Sequence, residues 1–353
     1  MVRLLVVGWD GASYDHLQRI KTPFFDSLDV KGRLLPEKVY QGIPIDSGTA
    51  WTTITTGLKV EQHGFLSINN KVESRKFLKF TKRLAEIIPS GRIRTYLYYG
   101  LNKAFNISDR TPRSHDVPYK RLWDYIDGKT LTLGVPLTYP AWEHNGVMFS
   151  GIPAPIEEPS KSDVYPERLR WLREEYNGYY YVEGESPLES EEQRNLEEYR
   201  NNIYIYNDRA FGVVEELCES MDFELVFAVF PVIDDLLHSV DADEEKEKLE
   251  KAYRWIDERT QELVERIDPD EVLIISDHGM MPSEDSLNPS LYPGTLMDHD
   301  SMNGIWASDH DFGFSLQEDV TPGIYEFLTG EEFVFERKEF GSDGDKDFEE
   351  ISV

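Results

Sequence analysis

The sequence has a single cysteine, no long apolar run and few basic residues for its size. Cys218 cannot form an internal disulfide, so nothing in the sequence requires an oxidising compartment. No run of about 20 apolar residues is present, which argues against a transmembrane helix. The segment ahead of Gly8 is too short for a signal peptide. We therefore expect a soluble, cytoplasmic protein.

Basic side chains are outnumbered, and this limits the partners that we expect. The 353 residues include 37 Lys and Arg against 67 Asp and Glu, which gives a formal net charge of -30. Such a field repels nucleic-acid backbones and anionic lipid surfaces. We therefore expect a small-molecule partner and no nucleic-acid polymer, while the oligomeric state stays open. An anionic substrate would have to be attracted by local cations.

Short apolar runs predict the fold class. Four of them, at 3–8, 130–135, 224–230 and 272–276, lack the alternation of a half-exposed strand and suit strands buried on both faces. The stretch 244–267 repeats apolar residues with helical spacing among charged ones. Helices between buried strands predict an α/β protein with a doubly wound, mainly parallel sheet, whose ligands bind beyond the carboxyl ends of the strands.

Two segments interrupt this alternation and predict a cap inserted into the core. One is rich in Lys, Arg and Tyr and the other in Glu, Tyr and Trp, and a tail with nine acidic and three basic residues follows the core. We expect the tail to be partly disordered. The predicted division is core at 1–66, 115–156 and 208–329, cap at 67–114 and 157–207, and acidic tail at 330–353.

Acidic residues follow three of the predicted strands directly. Asp10 follows the first strand, Asp234 follows the third, and Asp277 with His278 follows the fourth. Taken alone, each Asp could cap a helix or fill a turn as readily as it could bind a metal. Because His238 lies four residues after Asp234, the two fall on one face of a helical turn. Carboxylates with imidazoles are typical zinc ligands, so the combined pattern favours a metal site.

A glycine-punctuated stretch, PIDSGTAWTTITTGLKVEQHG, supplies a candidate nucleophile. Ser47 has a hydroxyl that a divalent cation would activate for attack at neutral pH. The small residues Gly48, Thr49 and Ala50 are expected to leave backbone amides open toward an oxyanion. The alternative is that Asp46 or Ser47 caps a helix beginning near Thr49. The two roles are compatible, since a nucleophile at a helix start also gains from the helix dipole.

Five motifs together resemble the alkaline phosphatase superfamily. They are VVGWDGASYD, DSGTAWTTITTGL followed by EQHGF, VPLTYPAWEHNGVMFSGIPAP, DDLLH and ISDHGM. In order and spacing they are similar to the type I phosphodiesterase and nucleotide pyrophosphatase branch and its phosphohydrolase relatives. The resemblance covers roughly residues 1–65, 120–155 and 205–315, but not the cap.

The resemblance implies two divalent metal ions. One would be held by Asp10, Ser47, Asp277 and His278, and the other by Asp234, His238 and a later histidine. That histidine is expected to be His299, because the family places it before a glycine-containing strand and Gly304 begins a strand-like run; His310 is the alternative. Zinc is the favoured ion for such ligands, and manganese and magnesium are also compatible.

The implied activity is phosphodiester hydrolysis through a phosphoseryl intermediate on Ser47. A phosphomonoesterase or phosphotransferase of the same superfamily is the main alternative, and a binding protein without turnover is a further one. A sulfatase is disfavoured because Thr49 and Trp51 stand where its motif has Pro and Arg. The tyrosines of 176–181 would suit an aromatic groove for a diester, although clustered tyrosines also simply pack a cap. The substrate-binding residues cannot be assigned from the sequence.

Overall fold

The computed structural model of the protein describes most of the chain. The described residues are 1–41, 45–67, 70–72, 75–88, 93, 97, 100–101, 107–108, 112–117, 119–152, 163–175, 196–239, 245–282 and 297–336. The strands, in chain order, are β1 (Val2–Trp9), β2 (Val30–Leu34), β3 (Phe65–Ser67), β4 (Asn70–Val72), β5 (Ile107–Ser108), β6 (Thr130–Leu133), β7 (Gly146–Phe149), β8 (Val164–Tyr165), β9 (Phe223–Phe230), β10 (Glu271–Ser276), β11 (Gly279–Pro282), β12 (Met297–Asp300) and β13 (Gly304–Ser308). The helices are α1 (Tyr14–Leu17), α2 (Pro23–Ser27), α3 (Ser47–Thr56), α4 (Val60–His63), α5 (Arg75–Glu86), α6 (Arg170–Glu175), α7 (Leu196–Ser220), α8 (Val232–Leu237), α9 (Glu245–Ile267) and α10 (Val320–Thr329).

An eight-stranded sheet forms the centre of the protein, in the order β2-β13-β10-β1-β9-β6-β7-β8. The five strands from β10 to β7 are parallel, whereas β13, β2 and β8 join the edges in antiparallel pairing. The four apolar runs of the sequence become β1, β6, β9 and β10. The predicted mainly parallel α/β sheet is therefore confirmed.

Both faces of the sheet are covered by helices, as a doubly wound fold requires. On β1, Leu5 and Val7 point into a core shared with α7, α8 and α9, while Leu4 and Val6 point into a second core shared with α3 and α10. All four side chains are fully buried. Burial on both faces explains why β1 reads as a continuous apolar run instead of an alternating one.

The division into core and cap stays a prediction, and two described elements bear on its boundaries. β8 lies in the predicted cap segment 157–207 but pairs with β7 at the edge of the main sheet. Helix α7 continues through the predicted boundary at 207. In the other predicted cap segment, β4 pairs with both β3 and β5 in a small separate sheet. The tyrosine run at 176–181 lies outside the described residues.

The described beginning of the predicted acidic tail packs on the core. Phe333 contacts Tyr125 edge to face, with ring centroids 4.9 Å apart, and the Glu336 carbonyl accepts a hydrogen bond from the backbone N–H of Lys120. Residues 337–353 lie outside the described part. Among the helices that the structure describes, none is long and apolar enough to cross a membrane.

Candidate active site

The predicted metal ligands meet at the carboxyl ends of the central strands of the sheet. Asp10 follows β1, Asp234 lies in the first turn of α8 directly after β9, and Asp277 with His278 follows β10. These three strands are adjacent and parallel, so their carboxyl ends lie side by side. The backbone N–H of Asp234 donates to the Asp10 carbonyl at 3.3 Å, which joins the first two positions directly.

Gly11 allows this close approach. Its φ of 77° lies in the left-handed region, which glycine adopts at little cost. A Cβ atom at this position would lie 2.9 Å from the Cα atom of Asp234. Both the backbone conformation and the space therefore require glycine after Asp10.

The first cluster surrounds Ser47. The Ser47 Oγ atom is 3.0 Å from His278 Nε2 and 3.2 Å from Asp10 Oδ1. The same His278 nitrogen is 3.3 Å from Asp277 Oδ2 and 3.6 Å from Asp10 Oδ1. All three ligand side chains are buried. The hydroxyl, two carboxylates and an imidazole thus face one another, as the resemblance implies for one metal position.

The second cluster joins α8 to the β11–β12 pair. His238 caps the carboxyl end of α8, and β12 places His299 opposite Met280 of β11. His238 Nε2 and His299 Nε2 are 3.1 Å apart, and Asp234 Oδ1 lies 3.4 Å from each of them. The rings of His278 and His299 stack at 4.0 Å between centroids, so the two clusters adjoin.

Two of the imidazoles are oriented by backbone carbonyls. His278 Nδ1 lies 3.0 Å from the Gly279 carbonyl, and His299 Nδ1 lies 3.0 Å from the Ile45 carbonyl. A carbonyl only accepts, so the Nδ1 atom must carry the proton in each ring. This leaves both Nε2 atoms as the ones that face the site, which is the usual arrangement of a metal-binding histidine.

Helix α3 begins at the candidate nucleophile. Asp46 is the N-cap, and its Oδ1 atom accepts from the Gly48 N–H at 2.8 Å. The N–H groups of Thr49 and Ala50 donate to the Asp46 carbonyl at 3.0 and 3.1 Å. The prediction that these three amides stay open toward an oxyanion is therefore wrong, because the cap residue already uses them. Ser47 occupies the first helical position with its side chain toward the cluster.

Burial governs the electrostatics of the three carboxylates. Burial, followed by the charges of Asp277 and Asp234, raises the pKa of Asp10 well above its usual range. Burial and Asp234 likewise raise the pKa of Asp277. Burial opposes ionisation of Asp234 as well, but the neighbouring imidazoles outweigh it and lower its pKa well below the usual range. The negative charge of these three carboxylates thus exceeds the positive charge that the neighbouring histidines can supply.

The pKa values of His278 and His299 are shifted in opposite directions. Burial and the charge of His299 lower the pKa of His278 to about 3. Burial alone would lower the pKa of His299, but its contact with Asp234 raises it to about 9. In the protein alone, a proton on His299 therefore compensates Asp234. A divalent cation would supply this charge and displace the proton.

The donor set fits divalent cations. Ligand atoms of Asp10, Asp277 and His278 lie within 4.8 Å of one another, and so do those of Asp234, His278 and His299. Neither oxygen of the buried Asp277 carboxylate makes a hydrogen bond in the described part of the chain. Buried carboxylates without donors are costly unless a cation or a proton compensates them. Oxygen and imidazole nitrogen are also the ligands that zinc uses.

The alternative histidine lies elsewhere. His310 is exposed, and its backbone N–H is 3.3 Å from Glu271 Oε1 at the opposite end of β10 from Asp277. The structure thus brings together all seven candidates, namely Asp10, Ser47, Asp234, His238, Asp277, His278 and His299, and leaves His310 apart.

Two supporting residues were missed in the sequence. The indole N–H of Trp51 donates to Asp10 Oδ2 at 2.9 Å, and the side-chain amide of Gln317 donates to the Asp277 carbonyl at 2.6 Å. Trp51 lies four residues after Ser47 in a helix, a spacing that places both side chains on one face. Nothing in the sequence near Gln317 indicates its contact with Asp277, 40 residues away.

Comparisons with known proteins identify the family of the chain. Residues 4–309 match the family described as type I phosphodiesterase / nucleotide pyrophosphatase. No curated protein matches the sequence. Among solved structures, the chain is similar to murine ectonucleotide pyrophosphatase / phosphodiesterase 5, with 16% identity over 79% of this chain and 58% of that one and a TM-score of 0.36.

Two further structures show comparable likeness. The human ectonucleotide pyrophosphatase / phosphodiesterase 5 has 13% identity over 92% of this chain and 94% of that one, with a TM-score of 0.45. Phosphonoacetate hydrolase from Sinorhizobium meliloti has 12% identity over 80% and 57%, with a TM-score of 0.43. The chain spans less than two thirds of the murine protein and of this hydrolase. The family match over most of the sequence carries the assignment: the chain belongs to the type I phosphodiesterase / nucleotide pyrophosphatase family.

Proposed function

We propose that this protein is a two-metal phosphodiesterase of nucleotide pyrophosphatase type, with Ser47 as its nucleophile. The observation that supports this most is the position of the Ser47 Oγ atom, 3.0 Å from His278 Nε2 and 3.2 Å from Asp10 Oδ1, at the start of α3. A hydroxyl placed among metal-ligand atoms at a helix start is poised to act as an activated nucleophile.

Asp10, Ser47, Asp277 and His278 would hold one cation, and Asp234, His238 and His299 the other. Bound cations would lower the pKa of the serine hydroxyl and offset the charge that develops on the phosphoryl oxygens. Zinc is the proposed ion, because three of the seven ligands are imidazoles. Manganese and magnesium remain alternatives that the metal titration below distinguishes.

Ser47 attacks the phosphorus and forms a covalent phosphoseryl enzyme, with the alcohol of the substrate as leaving group. Water then attacks the same phosphorus and releases Ser47. Two in-line displacements predict overall retention of configuration at phosphorus. The buried setting of the ligand carboxylates keeps their charges fixed around the serine, so little reorganisation accompanies the reaction.

A diester is the proposed substrate class. Among the described residues, no Lys or Arg forms an ion pair with Asp10, Asp234 or Asp277; their partners are histidines. A monoester dianion requires more positive charge than a singly charged diester. The charge of the described site, on a protein of net charge -30, therefore favours the diester.

The test compares bis(p-nitrophenyl) phosphate with p-nitrophenyl phosphate at matched concentrations, after titration of the protein with Zn²⁺, Mn²⁺ or Mg²⁺. We expect faster cleavage of the diester, highest activity with zinc, and no cleavage by Ser47→Ala. Ser308→Ala is the control, because the Ser308 hydroxyl also contacts a carboxylate, that of Glu271, at the far end of the sheet. Equal activity of wild type and Ser47→Ala would refute the nucleophile, and preference for the monoester would refute the substrate class.

A further inference from the structure

We infer that Trp51 is a positioning residue that fixes the carboxylate of Asp10 and thereby sets the affinity of the first metal position. The inference rests on the proposed function, because it takes Asp10 to be a metal ligand. Trp51 has no direct contact with the Ser47 hydroxyl among the described interactions, so its effect would pass through Asp10.

The two oxygens of Asp10 have separate partners. Oδ2 accepts from the Trp51 indole N–H at 2.9 Å, while Oδ1 lies 3.2 Å from Ser47 Oγ and 3.6 Å from His278 Nε2. An indole nitrogen only donates, so it binds an unprotonated carboxylate oxygen. The indole therefore fixes the rotation of the carboxylate and leaves Oδ1 directed to the serine and His278.

Helix α3 links the ligand to the nucleophile. Ser47 and Trp51 are one turn apart, and the side chains of both reach the same carboxylate. A rigid helical turn thus sets the distance between the serine hydroxyl and the oxygen that faces it. With a cation bound and the Asp10 carboxylate ionised, this hydrogen bond would have a buried, charged acceptor and would be of the stronger kind.

The indole itself is held by its surroundings. Trp51 is fully buried, and its ring meets that of Phe227 edge to face at 6.1 Å between centroids. Gly8, two residues before Asp10, makes room for it, because a Cβ atom there would lie 2.8 Å from the Cη2 atom of Trp51. Gly8 of β1 thus leaves space for the Trp51 indole, which donates to Asp10 at the end of the same strand.

Trp123 provides a matched control. It is also fully buried, and its ring meets the same Phe227 at 6.1 Å. Its indole nitrogen has no hydrogen-bond partner in the part of the chain that the structure describes. Trp123→Phe therefore tests the loss of indole volume beside Phe227, whereas Trp51→Phe removes both volume and a donor to the site.

The experiment measures Zn²⁺ affinity by competition with a chromophoric chelator for wild type, Trp51→Phe and Trp123→Phe. A fourth protein carries benzothienylalanine at position 51, which keeps the shape of the indole but lacks the N–H group. We expect the first Zn²⁺ site to weaken about 10- to 100-fold in both Trp51 variants and less than about threefold in Trp123→Phe. Thermal unfolding of each protein shows that it is folded.

The outcomes separate this inference from the proposed function. Wild-type affinity in the benzothienylalanine protein would overturn the positioning role, since the donor would then have no effect on the metal. Equal weakening in Trp51→Phe and Trp123→Phe would also overturn it, in favour of packing alone. If the wild type bound no Zn²⁺, the proposed function would fail together with the inference.

Discussion

His238 Nε2 and His299 Nε2 lie 3.1 Å apart, although 61 residues separate the two histidines in the sequence. Asp234 Oδ1 is 3.4 Å from both nitrogens, so an α8 carboxylate and imidazoles from α8 and β12 face one point. Such convergence of like groups is unfavourable without a proton or a cation between them. In the proposed enzyme, this point is the second metal position.

Removal of His299 should cost one metal ion. We expect His299→Ala to bind about one Zn²⁺ per chain instead of two, with hydrolysis reduced by at least about 100-fold. The measurement is metal content after equilibrium dialysis. His310→Ala is the control, because His310 is exposed at the other end of β10. Two ions in His299→Ala and one in His310→Ala would reverse the assignment.

Substitution of Gly11 should destabilise the protein more than its backbone angle alone explains. Gly11→Ala brings a Cβ atom to 2.9 Å from the Asp234 Cα atom, whereas Gly313, with a similar φ of 66°, has open space around it. We expect Gly313→Ala to cost about 1 kcal/mol and Gly11→Ala about 1 to 3 kcal/mol more. Urea unfolding measures both values, and equal costs would contradict the close packing of Gly11 on Asp234.

The contribution of Lys82 to the free energy of unfolding should be lost at alkaline pH. Its Nζ atom lies 2.7 Å from both Glu37 Oε2 and Glu61 Oε1, and the side chain is only 9% exposed. Burial lowers the pKa of Lys82, but the two carboxylates outweigh it and raise the pKa above 10.5. The charged form is therefore favoured by folding.

The sign follows from this raised pKa. A base with a higher pKa in the folded state stabilises the fold fully below its unfolded pKa, and this stability is lost as pH rises through the folded pKa. We expect Lys82→Met to lose about 2 to 3 kcal/mol near neutral pH, with the difference from wild type shrinking above about pH 10. Lys79→Met, at an exposed position of the same helix, should change stability by less than about 0.5 kcal/mol. A pH-independent difference for Lys82→Met would contradict the assignment.

The sheet and the positions of its ligands follow from local sequence. Strands β1, β9 and β10 are buried on both faces, so they read as unbroken apolar runs, and the acids after them mark their ends. The sequence indicated a helix that begins near Thr49 with Asp46 or Ser47 as its cap, and the helix begins at Ser47 with Asp46 as the cap. These features depend on a few consecutive residues, which is why the sequence reveals them.

Several features of the site were not predicted correctly or completely from the sequence. The amides after Ser47 were expected to remain open, but the Asp46 cap uses them, because a short Asp side chain and carbonyl compete with any ligand for these donors. His299 was expected over His310 from the strand-like run at Gly304, but its contact with His238 depends on the pairing of β11 with β12. The indole of Trp51 reaches Asp10 only because Gly8 leaves space in β1, the strand that leads to Asp10.

The most direct test of the proposed mechanism is acid-quenched peptide mass spectrometry of the Zn²⁺-loaded enzyme during turnover of bis(p-nitrophenyl) phosphate. A phosphoryl enzyme on Ser47 is acid-stable and can be located in the peptide that contains α3. Loss of one p-nitrophenolate would leave a p-nitrophenyl phosphoryl group on Ser47. We predict this adduct in the wild type during turnover, and we expect it to be absent without substrate and absent in Ser47→Ala. Steady turnover with an unmodified Ser47, or an adduct on a different residue, would contradict the account.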